Sequence, residues 1–120
     1  MKTLKETIRQ NYSMSKISHD IFGITARDKN TIDGILDKYP EVELVYVFGS
    51  RAKGNFKNGS DIDLAIMNAE ISSRTIHNIV EDFEESSLPY FVDLVHVDAI
   101  QHQDLKEHIW RVGQKFYSKV

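Results

Sequence analysis

Three aspartates are the residues whose type and spacing could do chemistry in this chain. Asp61 and Asp63 stand two apart in an apolar run, so in a β-strand both carboxylates point to the same face. Asp93 lies inside another apolar run, Val92-Asp93-Leu94-Val95. Unpaired carboxylates beside a core are costly without a cation. Mg²⁺ is bound in proteins by one or two carboxylates together with substrate phosphates, and Asp61 with Asp63 therefore indicates a metal site. If the strand of Asp93 lies next to theirs, three carboxylates are able to hold two Mg²⁺ ions; otherwise Asp93 is a hydrogen-bonded structural acid.

A glycine and a serine follow the first apolar run of the chain, with ten residues between the serine and Asp61. Gly49 stands where the run ends, and glycine lets a ligand approach the backbone closely. A helix starting at this point offers free backbone N–H groups to an anion, and Ser50 adds a hydroxyl. The pair is therefore a candidate seat for the phosphates of a nucleoside triphosphate, although Gly-Ser alone is common in ordinary turns.

The elements that must position these residues alternate along the chain. Strands are predicted at residues 43–48, 61–67 and 90–97, and helices at 28–38, 50–53, 72–86 and about 99–112, with a short extended tail at 116–118. Thr25 and Asp28 form a predicted cap of the first long helix. Asp98 and Gly113 are expected at the two ends of the last helix. This order predicts an α+β fold, an α/β sandwich with one small sheet, whose strand directions stay open.

The composition limits the classes of protein that fit. The chain has 120 residues, a length typical of one domain, and a formal net charge of −3. Leu4 and Ile8, and likewise Ile17 and Ile21, lie four apart, which predicts an N-terminal helical appendage at 1–24 before a domain at 25–120. The absence of cysteine excludes a disulfide scaffold, a thiolate zinc site and a cysteine nucleophile. With no apolar run that would span a bilayer and no signal peptide, we expect a cytoplasmic protein with no membrane contact. The acidic balance argues against direct nucleic-acid binding.

The combined motif resembles the DNA polymerase β-type nucleotidyltransferase superfamily. The resemblance is carried by Gly49-Ser50, ten residues, Asp61-x-Asp63, and Asp93 on a later strand. The longer stretches at 48–54, 60–66 and 88–95 are similar to its minimal nucleotidyltransferase branch. The similarity covers about residues 32–117 and leaves the segment before Thr25 unmatched.

This resemblance implies a fold, a reaction and a set of site residues. The fold is the polymerase β-like nucleotidyltransferase fold, a small mixed sheet with helices packed on one face and the site on the other. The reaction transfers a nucleoside monophosphate, here AMP from ATP, to a hydroxyl and releases pyrophosphate. Asp93 would complete the Mg²⁺ cluster and act as the base. The implied catalytic and metal-binding residues are Asp61, Asp63 and Asp93, and the implied nucleotide-binding residues are Gly49, Ser50, Arg51, Lys53 and Ser60. For Arg51 and Lys53, a solvated helix surface is an equal alternative to phosphate contact.

The resemblance also implies a partner protein. Members of the minimal branch pair with a small helical HEPN-domain protein, as antitoxin with toxin, and the implied acceptor is a tyrosine of that partner within a hetero-oligomer. Three alternatives stay open: a non-catalytic subunit that binds nucleotide or neutralises the toxin by contact, a small-molecule transferase of the aminoglycoside type, and a polymerase-like activity. The lack of an acceptor-binding domain argues against the last two.

Overall fold

A computed structural model describes residues 21–119 of the chain. The chain divides into two compact units, Met1–Asn30 and Thr31–Val120, and the predicted site residues all belong to the second. The predicted appendage at 1–24 lies outside the described residues except for 21–24, so it stays a prediction. Within residues 21–119 there is no helix with the length and apolar character that crossing a bilayer requires.

The described chain contains four α-helices and four β-strands. The helices are α1 (Ala26–Asp37), α2 (Gly49–Lys53), α3 (Ser73–Glu85) and α4 (Gln103–Val112), and the strands are β1 (Leu44–Phe48), β2 (Ile62–Ile66), β3 (Val92–His96) and β4 (Gln114–Ser118). A short 3₁₀ turn, Val97–Ala99, lies between β3 and α4. The three predicted strands and four predicted helices are therefore present.

Side-chain caps explain where the helices begin. The Thr25 hydroxyl accepts a hydrogen bond from the Asp28 amide at 3.1 Å, which confirms the predicted cap of α1. The predicted cap of α4 is wrong. Asp98 lies in the 3₁₀ turn, which is closed by a bond from the Ile100 amide to the Val97 carbonyl at 3.2 Å. The chain therefore turns once before α4 begins, and the His102 side chain accepts from the first turn of α4 instead.

The sheet is mixed and has the order β3-β2-β1-β4. β1 runs antiparallel to β2 and to β4, whereas β2 runs parallel to β3. This confirms the small mixed sheet that the resemblance implies. The residues expected as a short extended tail form part of β4, which pairs with β1 along the edge of the sheet. β4 therefore completes the sheet.

The two faces of the sheet differ in what covers them. One face carries five fully buried aliphatic side chains, Val45, Val47, Ile62, Leu64 and Ile66. The opposite face carries Phe48 and Ala65, which form a core cluster with Ile109 of α4 and with Val97. Alternation places Asp63 on this second face as well. Helix α4 therefore covers the part of the face around Phe48 and Ala65, and the predicted site occupies another part of the same face.

Candidate active site

Parallel pairing of β2 with β3 brings two predicted carboxylates side by side. Asp63 and Asp93 are register partners on these neighbouring strands, so their side chains leave the same face of the sheet. Asp61 is exposed and directly precedes β2. Burial raises the pKa of Asp63, repulsion from Asp93 and Asp61 raises it further, and the Arg51 charge opposes the shift. The three carboxylates therefore act on one another at one end of the sheet.

The carboxylates do not form a finished metal cage by themselves. Among residues 21–119, no three acidic or histidine side chains are arranged closely enough to hold a metal ion together. Mutual repulsion between like charges favours separated side chains. A Mg²⁺ site of the usual kind needs only one or two carboxylates, since phosphate and water oxygens supply the other ligands. The three-carboxylate, two-ion site thus stays a prediction.

Gly49 lies directly against the Asp63 carboxylate. Its φ is +73°, a backbone conformation that residues other than glycine rarely adopt. A Cβ placed on Gly49 would lie 2.4 Å from Asp63 Oδ2, and something would have to move. The preceding residue, Phe48, is the register partner of Asp63, which explains the close approach. The glycine leaves the space that the carboxylate occupies.

The other two predicted residues of α2 differ in exposure. Ser50 is half-buried, and its carbonyl accepts from the amides of Gly54 and Asn55 at 2.9 and 3.2 Å, so its backbone closes the helix. Lys53 is exposed in the last turn of α2. The Gln114 side chain donates to the Ala52 carbonyl at 2.7 Å and fastens the end of α2 to β4. Of these two residues, Lys53 is the one whose side chain faces solvent.

Arg51 is turned into the protein. The residue is 3 % exposed. Nε donates to the carbonyl oxygens of Ser60 and Asp61 at 3.2 and 3.3 Å, and Nη2 donates to the Ser60 carbonyl at 2.7 Å. The rings of Phe56 and Tyr90 each lie 4.9 Å from the guanidinium carbon. The sequence leaves Arg51 between a phosphate contact and a solvated helix surface. Its burial rules out the solvated surface, its hydrogen bonds reach the loop before β2, and the phosphate contact stays a prediction.

Ser60 shapes the same loop. Its hydroxyl donates to the Lys57 carbonyl at 2.7 Å and accepts from the Lys57 amide at 3.0 Å. Its own amide donates to the Lys57 carbonyl at 3.0 Å. The Ser60 hydroxyl therefore closes a tight turn, and the Ser60 carbonyl accepts a hydrogen bond from Arg51.

Sequence reasoning overlooked an aromatic residue beside the site. Phe91 is 76 % exposed and lies two residues before Asp93. Its carbonyl accepts from the Ile62 amide at 2.9 Å, which extends the pairing of β2 with β3 beyond the start of β3. A cavity of about 400 Å³ adjoins it. The cavity is lined by Phe83, Glu84, Leu88, Pro89, Tyr90, Phe91 and Val92. The only signal in the sequence is a run of apolar residues before β3, which is typical of core as well.

Comparison with known proteins gives close and remote relatives. The "Probable protein adenylyltransferase MntA" of Haemophilus influenzae (strain ATCC 51907 / DSM 11121 / KW20 / Rd) is 42% identical over 69 residues, which are 57% of this chain and 60% of that protein. This chain therefore matches less than two thirds of that relative's length.

Two solved structures share the fold over about three quarters of the chain. A crystal structure of a toxin–antitoxin with AMP-PNP superposes with a TM-score of 0.62 at 26% identity, covering 77% of this chain and 74% of that one. A tri-AMPylated Shewanella oneidensis HEPN toxin in complex with MNT antitoxin contributes a chain with a TM-score of 0.56 at 25% identity, covering 76% and 70%. A family model described as "Polymerase beta, Nucleotidyltransferase" matches residues 30–120, well over half of the sequence. The chain, with its paired aspartates next to a glycine turn, belongs to the polymerase β nucleotidyltransferase family.

Proposed function

We propose that this protein is a Mg²⁺-dependent nucleotidyltransferase that transfers AMP from ATP to a tyrosine of a small helical HEPN-domain partner, and so acts as an antitoxin. The observation that carries the proposal is the side-by-side register of Asp63 and Asp93 next to the Gly49 turn. Family membership supports the reaction class. The name of the Haemophilus relative and the toxin–antitoxin complexes among the similar structures support the acceptor.

The residues present fit Mg²⁺. The site offers only oxygen ligands, from Asp63, Asp93 and Asp61, and repulsion among these carboxylates is relieved when a cation lies between them. Asp61 and Asp63 would hold the ion together with phosphate oxygens, and Asp93 would complete the set. When bound, Mg²⁺ neutralises charge on the phosphates and polarises them towards attack.

The side chains of this protein divide the remaining tasks. Gly49 brings backbone next to Asp63 without a side chain in the way, and Ser50 adds a hydroxyl for the phosphates. Asp93 is exposed, so a hydroxyl carried by another protein is able to reach it. The acceptor oxygen forms a bond to the α-phosphorus as the bond to pyrophosphate breaks. Asp93 accepts the proton of the acceptor.

A mass measurement tests the proposal. The full chain is mixed with Mg-ATP and a candidate HEPN-domain partner, and the intact mass of both proteins is recorded. We expect one or more added adenylates on the partner, on tyrosine, and none with the double variant Asp61→Ala, Asp63→Ala or without divalent metal. If the wild-type chain adds no nucleotide to the partner with any of the four ribonucleoside triphosphates, the proposal is wrong.

A second candidate is neutralisation of the partner by contact alone. The strongly exposed ring of Phe91 beside the site favours this alternative, because a surface aromatic residue is typical of protein contacts. The double variant separates the two functions. If it neutralises the partner as fully as wild type, contact suffices, whereas a loss of neutralisation together with adenylate transfer favours catalysis.

A further inference from the structure

We propose that Arg51 is a positioning residue that fastens the loop before β2 and thereby holds Asp61 beside Asp63, without touching the nucleotide. The inference rests on the proposed function for its catalytic consequence. Its structural part concerns only this chain. The loop, defined here as residues 54–61, leads from α2 to β2 and carries Asp61 at its end.

The hydrogen bonds of Arg51 enclose the backbone of Asp61. The Ser60 carbonyl belongs to the peptide plane before the Asp61 Cα, and the Asp61 carbonyl belongs to the plane after it. One guanidinium bonds to both oxygens, with distances of 2.7 to 3.3 Å. Both peptide planes that flank the Asp61 Cα are therefore restrained, and with them the direction in which the Asp61 carboxylate leaves the chain.

Two aromatic rings hold the guanidinium in place. Phe56 belongs to the loop, and Tyr90 lies three residues before Asp93. Each ring centroid is 4.9 Å from the Arg51 guanidinium carbon, a distance at which a planar cation interacts favourably with an aromatic ring. Arg51 thus joins α2, the loop that carries Asp61 and the segment that leads to Asp93.

Burial and charge agree with this role. A residue that is 3 % exposed and bonded to two carbonyls would have to break those bonds to reach a phosphate in solvent. Desolvation of a guanidinium is costly unless its donors find acceptors, and here backbone oxygens accept from Nε and Nη2. The Arg51 charge also counteracts the rise in the pKa of Asp63, so it favours the ionised carboxylate from inside the protein.

Lysine cannot replace these contacts, although it keeps the charge. A guanidinium is planar and presents several donors in a fixed geometry. An ammonium is a compact point charge that neither stacks on aromatic rings nor offers two donors in one plane. Arg51→Lys therefore separates the two roles. If Arg51 contacts phosphate, lysine keeps part of that contact, and the weakening appears as a lower affinity for nucleotide. A positioning role predicts a change in the loop of the protein without nucleotide.

The test compares Arg51→Lys with Arg74→Lys, a matched control at an exposed position of α3. Hydrogen–deuterium exchange of the full chain is measured without metal or nucleotide. We expect amides of residues 54–61 to exchange about tenfold faster in Arg51→Lys and unchanged in the control. With Mg-ATP and the partner, kcat should fall about 10- to 100-fold, as for other supporting residues of a metal site, while the KM for ATP stays within about threefold of wild type.

Two outcomes would overturn the proposal. One is unchanged loop exchange in Arg51→Lys, and the other is a large rise in the KM for ATP with kcat preserved, which is what a phosphate contact predicts. Phe56→Leu provides a second variant that leaves the arginine in place, and it should speed loop exchange in the same direction but have little added effect in the Arg51→Lys background. The exchange measurement needs no turnover, so it decides the role of Arg51 even if wild type transfers no adenylate.

Discussion

Gly49 combines a backbone requirement and a site requirement in one residue. Its φ is +73° and its Cβ position is 2.4 Å from Asp63 Oδ2. Gly54, at the other end of α2, has a φ of +84° with open space around its Cβ position. Alanine at either position adopts a left-handed conformation at a cost of about 1–2 kcal/mol. Only alanine at position 49 also displaces the Asp63 carboxylate.

We therefore expect Gly49→Ala and Gly54→Ala to lower the free energy of unfolding, Gly49→Ala by the larger amount. Only Gly49→Ala should reduce adenylate transfer by about 100-fold, since a misplacement of about 1 Å in a reacting constellation costs that much. Urea denaturation and the intact-mass assay measure the two effects. Equal losses of transfer in both variants would show that the close approach to Asp63 is unimportant.

Asp63 illustrates a conflict between stability and function. Burial and two neighbouring carboxylates disfavour its charged form in the metal-free protein. Asp63→Asn should therefore raise the free energy of unfolding without Mg²⁺, by less than about 0.5 kcal/mol because solvent screens a half-exposed carboxylate. Transfer should fall by at least about 100-fold, a loss typical of an essential metal ligand or base.

Asp98→Asn is the matched control for this prediction. Asp98 is exposed in the 3₁₀ turn after β3, away from the end of the sheet that carries the site. Neither its stability nor its transfer activity should change beyond error. An Asp63→Asn variant less stable than wild type in the absence of metal would contradict the repulsion argument.

At the scale of elements, strand register decides the site. Asp63 and Asp93 share a face only because β2 and β3 pair with these residues opposite each other. A slip of one residue would move Asp93 to the other face. The Ile62 amide bonded to the Phe91 carbonyl, at 2.9 Å, continues the pairing towards Asp61 and so extends this register to the edge of the site.

The connection between the segment after α1 and helix α3 yields a pH-dependent prediction. The Tyr39 hydroxyl donates to the Asp82 carboxylate, and Lys38 Nζ lies 2.9 Å from it. The hydrogen bond to Asp82 raises the pKa of Tyr39 to about 12. The same hydrogen bond is the main reason why the pKa of Asp82 lies below its ordinary value, and the hydrogen bond from Lys38 is the second. A lowered carboxyl pKa contributes stability above the unfolded-state pKa and loses it as the pH falls through the folded-state pKa.

Tyr39→Phe should therefore lower the free energy of unfolding by about 1 kcal/mol at neutral pH, and its difference from wild type should shrink as the pH falls below about 4. Urea unfolding across this pH range measures both quantities. Tyr46→Phe, at a half-buried position of β1, is the control, and its difference from wild type should not vary with pH. A Tyr39→Phe effect that is constant with pH would exclude a role for the charged Asp82.

For the whole molecule, the boundary of the catalytic domain is open to test. The family match begins at residue 30, and Thr25 caps α1. Ile24 is fully buried, so a shortened chain should retain it. We expect a chain of residues 24–120 to unfold cooperatively and to bind Mg-ATP as the full chain does.

The same shortened chain tests whether residues 1–23 contribute to docking. If they do, its KM for the HEPN-domain partner should rise about tenfold, equivalent to about 1.4 kcal/mol, with the KM for ATP unchanged. Loss of cooperative unfolding would show instead that these residues belong to the catalytic domain. Circular dichroism during urea unfolding and initial rates at varied partner concentration supply the two readouts.

Local information was sufficient to predict most of the helices and strands. Alternation in β2, helical spacing in α3 and a glycine at the end of β1 are properties of neighbouring residues, so they are legible in the sequence. The Thr25 cap depends on residues three apart and was predicted as well. The same kind of reasoning failed for α4, because an intervening 3₁₀ turn closed by Ile100 moved the cap from Asp98 to His102.

The sequence by itself determined the family of the chain and predicted its site as a glycine turn and three aspartates, although the structure begins β2 one residue after Asp61. Tertiary structure alone decided that Asp93 stands opposite Asp63, that β4 forms the sheet edge, and that α4 shares the face with the aspartates. It also directed Arg51 inward, to carbonyls nine and ten residues away and to two rings. These features depend on pairing and burial between distant segments, which no local pattern specifies.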